Sequence, residues 1–472
     1  MEKVISVISE ALYSYVLIIV LVLGGLIFTI LTKGAQFRLF KQQIKSVTER
    51  PKDKKGVSSF QALMVSTASR VGTGNIIGVS TAICIGGFGS VFWMWIIALI
   101  GGASALIEST LAQIYKRKGL QGCYGGPAYY IETGLKCRPL AIVFSVLLIL
   151  TYGVGFNMLA SYNLQSTFEV FDFYNADITP WIIGGIVAIL VGYCLLGGGK
   201  RMIKATSLLV PIMGVIYILV ALVIVCINIT SLPYVLKTIF VEAFDFRAIF
   251  GGLGGSCLIY GIKRGLFSNE AGVGSAPNAS ASAEVSHPVK QGLVQVLSVF
   301  IDTILVCSAT AFMCMTSGVT PTADISGAQY VQASMSATLG GFGPIFITIS
   351  MVLFAFTTLI GNLFYVDKAI IHICKKEPKK WIKNLYYIGF SILILFGAVL
   401  SADLLWNISD IFMGAMTLIN IPVILILSKY AVRAINDFVS QKKQGKEPQF
   451  FAKNIGLTDN LDFWQEQVEN KE

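Results

Sequence analysis

Arg70-Val71-Gly72-Thr73-Gly74-Asn75 places a guanidinium, a hydroxyl, an amide and two glycines inside the otherwise apolar run 60–85, with Gly78 close behind. Unwinding a helical turn in hydrocarbon strands N–H and C=O groups at several kcal/mol each, so such a turn persists only where something polar takes their place. Exposed N–H groups can hold a carboxylate and freed carbonyls can hold a hard cation, so a bound amino acid and alkali cation would do so together. Glycine permits the dihedrals and the close approach. The run is therefore predicted to be a broken helix.

A second glycine-interrupted run, 249–267, carries Gly252 and Gly254 and continues through Ser256; these three are candidates to line the same pocket. Gly251 and Gly255 also fit a simple helix-packing pair. In the ninth run, Thr357 and Thr358 stand side by side, and two hydroxyls with carbonyls of a broken helix would make an oxygen-only cage suited to sodium. Threonines in membrane helices also bond back to their own helix, which is the plainer reading of the pair. Asp302 and Glu108 are acids deep in the eighth and third runs, where a charge costs about 2.5 to 3.5 kcal/mol even on a lenient insertion scale. Arg70 is their expected basic partner, in a structural ion pair or in ion coupling and gating. Glu270, within Phe267 to Ser280, is placed at the cytoplasmic mouth.

What positions these residues follows from composition. Of 472 residues 55% are hydrophobic and 13% charged, and mean hydropathy is +0.72, which marks a polytopic membrane protein. A helical crossing needs about 20 apolar residues, and about eleven runs qualify. Their cores are 12–31, 60–85, 91–114, 140–168, 181–196, 208–229, 249–267, 293–315, 344–373, 385–400 and 408–427. They are apolar on all sides, which fits helices and not strands, so the fold class is all-α. The two glycine-broken runs lie five helices apart, an odd number of crossings. Helices 2 to 6 and 7 to 11 are therefore expected to be inverted repeats, each led by a broken helix. The expected division is an extra N-terminal helix with a basic loop (1–57), a first repeat (58–230), a second repeat (231–430) and a C-terminal tail (431–472).

The formal net charge of +10 sits where it orients the chain. With the basic loop 33–55 assigned to the cytoplasm, alternation puts Lys116 to Lys118, Lys200 to Lys204, Lys263 with Arg264, Lys375 to Lys383 and the tail inside, leaving Lys3, Lys237 and Arg247 outside. The expected location is the cell membrane, multi-pass, with the N-terminus outside and the C-terminus cytoplasmic; no nucleic-acid partner is expected. Nine scattered cysteines without a C-x-x-C pair suggest neither a disulfide frame nor a zinc site. Two histidines near helix ends leave no intramembrane histidine relay. Neither a phosphate-binding G-x-x-x-x-G-K-[ST] loop nor a G-x-S-x-G elbow occurs, so the chain is not expected to be an enzyme or an ATP-driven pump. Scattered, asymmetric polar residues also argue against a channel.

Gly86 to Gly102, Arg70 to Val79, Ile107 to Lys116, Gly125 to Leu135, Arg264 to Pro277, His287 to Thr303 and Leu353 to Asn362 together resemble the alanine/glycine:cation symporter family, also called the sodium:alanine symporter family. The resemblance implies a leucine-transporter-like fold and sodium-driven uptake of a small neutral amino acid across the lipid bilayer, with sodium as the coupling ion and no cofactor. It implies that Thr73, Gly74 and Asn75 form the substrate-binding turn, with Asn75 also similar to a sodium ligand. It implies a sodium site from the carbonyls of Ala68 and Val71 and the hydroxyls of Thr357 and Thr358, the last also near substrate, and a looser second ion position near Asp302. Two departures touch the pocket. After Asn157 the family's glutamine is replaced by Ala160, and its ninth-helix tryptophan by Asn362. Both changes shrink side chains, so the substrate expected from alanine or glycine extends to a larger one such as serine or glutamine. Proton coupling is the alternative.

Overall fold

The structure, a computed structural model, describes residues 2–51, 56–119, 122–245, 256–323, 325–457 and 461–464. Among them eight helices are long and apolar enough to cross a membrane. These are α1 (Lys3–Leu31), α5 (Gly89–Ile114), α6 (Arg138–Ser166), α7 (Thr179–Leu196), α8 (Gly198–Ile227), α11 (Pro288–Thr316), α13 (Phe342–Cys374) and α15 (Ala402–Lys443). The second expected run is divided into α3 (Ser59–Arg70) and α4 (Gly74–Gly86), and the tenth is α14 (Lys380–Gly397). Shorter helices lie between spans: α2 (Phe40–Val47), α9 (Leu232–Ala243) and α12 (Ala328–Leu339). One antiparallel hairpin, Arg117–Gly119 with Gly122–Tyr124, pairs Lys118 with Cys123.

The seventh run differs from its expectation. Gly252 and Gly254 lie outside the described residues, and α10 (Cys257–Asn269) winds without interruption. The chain leaves helical geometry after it, at Glu270 (φ 52°), Gly272 (φ 85°) and Gly274 (φ 93°), before one more turn at Pro277–Ser280. Left-handed φ values select glycine on backbone grounds. The glycines within α10 do something else: a Cβ at Gly265 would lie 2.6 Å from Ile97 Cγ2, and one at Gly261 would run into the Ser90 carbonyl. They let α10 lie against α5.

Ser58 opens α3 with a capping box, its hydroxyl accepting the Gln61 N–H at 3.2 Å while its own N–H donates to Gln61 Oε1 at 3.0 Å. Beside this cap the Glu284 N–H donates to the Val57 carbonyl at 3.0 Å, tying the start of α3 to the segment after α10. Further along, Gly361 of α13 meets α3 backbone to backbone, where a Cβ would lie 2.9 Å from the Ser69 nitrogen. The 42 residues of α15 reach about 63 Å, roughly twice a hydrocarbon core, so its last turns continue beyond the bundle. The chain after it folds back. The Phe450 N–H donates to the Ser286 carbonyl, and Trp464 Nε1 donates to the Gln113 carbonyl, each at 3.0 Å.

Candidate functional site

The last regular bond of α3 runs from the Val71 N–H to the Thr67 carbonyl at 2.7 Å. Continuing the helix would send the Gly72 N–H to Ala68 and the Asn75 N–H to Val71. Neither does so. The Gly72 N–H donates to Asn75 Oδ1 at 2.8 Å, and the Asn75 N–H donates to the Gly72 carbonyl at 3.2 Å. The Ala68 and Val71 carbonyls are thereby released from their usual donors, and Thr358 of α13 meets the first of them, its hydroxyl 3.2 Å from the Ala68 oxygen. Gly72 is required by this approach, because a Cβ there would overlap Thr358 Oγ1.

Thr357 does not join Thr358. Its hydroxyl donates to its own helix, with Leu353 and Phe354 carbonyls at 2.9 and 3.1 Å, and lies 3.5 Å from Met213 Sδ of α8. Consecutive residues on a helix point about 100° apart, so the two hydroxyls face different neighbours. Of the expected cage, the structure brings Ala68 and Thr358 together beside the turn that carries Val71, and turns Thr357 away.

Asn75 also spans the gap to α11. Its Nδ2 donates to Asp302 Oδ1 at 2.7 Å, while Asp302 Oδ2 accepts from the Ser268 hydroxyl at 2.7 Å and the Thr303 hydroxyl at 2.8 Å. Asp302 is fully buried, and among the described residues no basic group lies within ion-pair distance of it. Three neutral donors hold a buried carboxylate that makes no contact ion pair among the described residues, an arrangement that favours an added cation. Ser268 was not foreseen; its signal is its place at the end of a run that had been read as broken elsewhere.

The expected partnership of Arg70 with the buried acids takes the form of a longer-range attraction to Glu108, Glu270 and Asp302 and not of a contact ion pair. Its Nη1 donates to Gln295, at 3.0 Å to the side chain and 3.4 Å to the carbonyl, and among the described residues no carboxylate stands within 4 Å. The acids have neutral donors of their own. Glu108 accepts from the Gly272 N–H at 3.3 Å and Asn420 Nδ2 at 2.8 Å, and Glu270 accepts from the Ser69 hydroxyl at 3.1 Å and from Ser275. Glu270 is 1% exposed, an interior link between the end of α3 and the turn that follows α10.

Ser69 extends this network, 2.6 Å from Asn362 Oδ1, and Asn362 Nδ2 donates to Asn157 Oδ1 at 2.9 Å. The expected pocket residues Asn157 and Asn362 are therefore in contact, and Ala160 follows Asn157 by three residues on α6. Ser256 stands apart. It caps the start of α10, accepting the Ile259 N–H at 3.3 Å, at the far end of the helix from Ser268.

Above the unwound segment lies a cavity of about 700 Å³, bordered by Ile77, Thr81, Tyr162, Asn163, Arg264 and Trp406. One turn deeper, Phe267 sits between Phe156 and Trp406, with ring centroids 4.5 and 4.8 Å away, and a Cβ on Gly74 would come within 2.9 Å of it. The Arg264 guanidinium lies 3.9 Å over Trp406, and Lys263 pairs with Asp410 at 2.8 Å. Lys263 and Arg264, at the middle of α10, border this cavity together with Lys3.

An unwound helix facing the left-handed turn that ends α10, set among membrane-length spans, defines a secondary transporter of the leucine-transporter fold. The solved structure of MhsT in complex with L-phenylalanine matches with a TM-score of 0.58 at 15% identity, covering 86% of this chain and 96% of that one, a likeness of fold. Residues 1–452 match the sodium:alanine symporter family. The amino-acid carrier protein AlsT of Bacillus subtilis is 42% identical over 466 residues, 99% of this chain and 98% of its own. The probable sodium/glutamine symporter GlnT of the same organism is 41% identical over 98% of this chain and 96% of its own. The chain belongs to the sodium:alanine symporter family, and its activity is sodium-coupled amino-acid symport.

Proposed function

We propose that this chain carries a small neutral amino acid inward with sodium by alternating access, and that the two solutes meet at the unwound segment between α3 and α4. The observation that carries this reading is the release of the Ala68 and Val71 carbonyls beside the Thr358 hydroxyl. One sodium is assigned to those three oxygens, at the negative end of the α3 dipole. The substrate carboxylate is assigned to the N–H groups that open α4, at Thr73 and Gly74, where the dipole is positive. A second cation position is assigned to Asn75, Ser268 and Asp302. The amino-acid side chain would extend toward Ala160 and the Asn157–Asn362 pair, with Phe267 as the closing lid on the cavity side.

The five-plus-five division, the outside N-terminus and the cytoplasmic tail belong to this reading, supported by the basic loop between α1 and α3. Exposed apolar side chains such as Ile189, Leu208, Leu222 and Ile227 fit a lipid-facing surface. The membrane potential adds about 2.3 kcal/mol per charge per 100 mV to the driving force. Proton coupling is the second reading, favoured by three buried carboxylates, Glu108, Glu270 and Asp302, that make no ion pair among the described residues.

Uptake of labelled alanine, glycine, serine and glutamine into proteoliposomes separates the two. With an inward sodium gradient and no pH gradient, saturable accumulation is expected; with potassium in place of sodium and an inward proton gradient, none. The reverse pattern would transfer the coupling to protons.

A further inference from the structure

The pair α7 and α14 is closed at one end and open along the rest. A Cβ on Gly184 would lie 2.8 Å from Ala398 Cβ, whereas one on Gly185 would meet only Leu395 Cδ1, at 4.0 Å. From Gly185 to Leu196 a cavity of about 530 Å³ runs between the two helices, walled on the α14 side by Ile388, Ile392 and Leu395. That stretch of α7 rises about 16 Å, close to half the thickness of a hydrocarbon core. Ile189, Ile388 and Ile392 are exposed, so the groove opens on the outer surface of the bundle and not toward the unwound segment.

Basic residues gather at the open end. Gly184 lies against Ala398 and Gly192 against Ser391, so the helices run antiparallel and the end of α7 meets the start of α14. Lys200, Arg201 and Lys204, in the first turns of α8, therefore stand at the same end as Lys379 and Lys380. All five are exposed, and among the described residues none has a carboxylate within 4 Å. Asp367 is taken by Lys383 at 3.0 Å, and Glu377 shares the loop before α14. Arg201 is held at the lip. Gly197 lets its side chain cross the turn between α7 and α8, since a Cβ there would overlap the guanidinium. Its Nη1 donates to the Tyr193 carbonyl at 2.8 Å, and the guanidinium lies 4.7 Å over the Tyr193 ring, which lines the groove. That bond uses one N–H, and the rest of the planar fork is left for a phosphate.

We propose that this groove is a site for one anionic phospholipid, with an acyl chain between α7 and α14 and the phosphate on Arg201. Lys200, Lys204 and Lys380 add to the positive field at the headgroup. Apolar walls one leaflet deep suit the chain, and the basic lip selects the head. A zwitterionic lipid offers the same chain, but its own ammonium offsets its phosphate. A second copy in the same orientation would bring its basic end against this one.

The test counts phospholipid retained by the purified chain, by native mass spectrometry, after incubation with equal phosphatidylglycerol and phosphatidylcholine. Wild type is expected to retain one phosphatidylglycerol per chain and to prefer it at least about five-fold, the worth of a single basic residue near an anionic surface. Arg201→Gln is expected to lose about five-fold of that preference, and Lys237→Gln, with the same change of charge on α9, to keep it. Gly185→Phe, whose ring fills the groove, is expected to retain several-fold less of both lipids. Equal retention of the two lipids by wild type would overturn the proposal. Equal losses in Arg201→Gln and Lys237→Gln would overturn it by reducing the attraction to net charge. A lipid-free wild-type dimer that Gly185→Phe converts to monomer would give the groove to a second copy. Should Gly185→Phe fail to fold, the contrast of Arg201→Gln with Lys237→Gln decides alone.

Discussion

Asn75→Ala and Asp302→Ala are each expected to reduce sodium-driven uptake by at least about 100-fold in protein that still reaches the membrane. Asn75 does two jobs at once. Its Oδ1 holds the Gly72 N–H away from Ala68, and its Nδ2 holds Asp302. Removing it strands a buried backbone donor and a buried carboxylate oxygen, and returns to Gly72 the option of closing the helix over the Ala68 carbonyl. Removing the Asp302 carboxylate leaves Asn75, Ser268 and Thr303 without their acceptor, at about 1 to 3 kcal/mol for each buried group that finds no substitute. Asp302→Asn separates charge from shape. It preserves one carbonyl acceptor, so thermal stability is expected to stay within a few degrees, while the sodium concentration for half-maximal uptake rises by about ten-fold or more. Wild-type sodium dependence in Asp302→Asn would make this carboxylate a structural anchor only.

The second large effect is a contrast between neighbours. Thr358→Ala removes the hydroxyl that faces the Ala68 carbonyl, and a hydrogen bond or ligand to a charged group is worth about 1.5 to 3 kcal/mol, so half-saturation by sodium is expected to rise about 10- to 100-fold. Thr358→Ser restores the oxygen and most of the affinity. Thr357→Ala removes only a hydroxyl turned toward Leu353, Phe354 and Met213, and its sodium dependence is expected to stay within about two-fold of wild type, since such back-bonds contribute little. Titrating uptake against sodium in the three variants decides the matter. Equal losses in Thr357→Ala and Thr358→Ala would restore the two-hydroxyl cage inferred from the sequence.

Much of this site was legible because lipid makes polar residues conspicuous. Gly72, Thr73 and Asn75 in an apolar run signal an unwound turn whatever the rest of the chain does, while the carbonyls of Ala68 and Val71 were pointed to by the family resemblance and are seen released from their usual donors in the structure. The glycines expected to break the seventh run, Gly252 and Gly254, lie outside the described residues, while those after them answer two different needs. Gly261 and Gly265 serve close packing, whereas Gly272 and Gly274 supply left-handed dihedrals, and a sequence does not mark which is which. Thr357 was misjudged because adjacency in sequence separates side chains around a helix. Arg70 was given to the acids on charge alone, yet its side chain reaches Gln295, a partner set by the rotation of α3 against α11. Ser268 was missed as a single polar residue.

The central claim is that amino acid and sodium complete one another's sites where α3 gives way to α4. Reciprocity then requires that each solute raise the other's affinity by the same factor. The direct measurement is equilibrium binding of labelled amino acid to the purified protein in saturating sodium and again with choline replacing it. A Kd at least about ten-fold lower in sodium is expected, typical of a coupling free energy of 1 to 3 kcal/mol. Equal affinity in sodium and choline would contradict it.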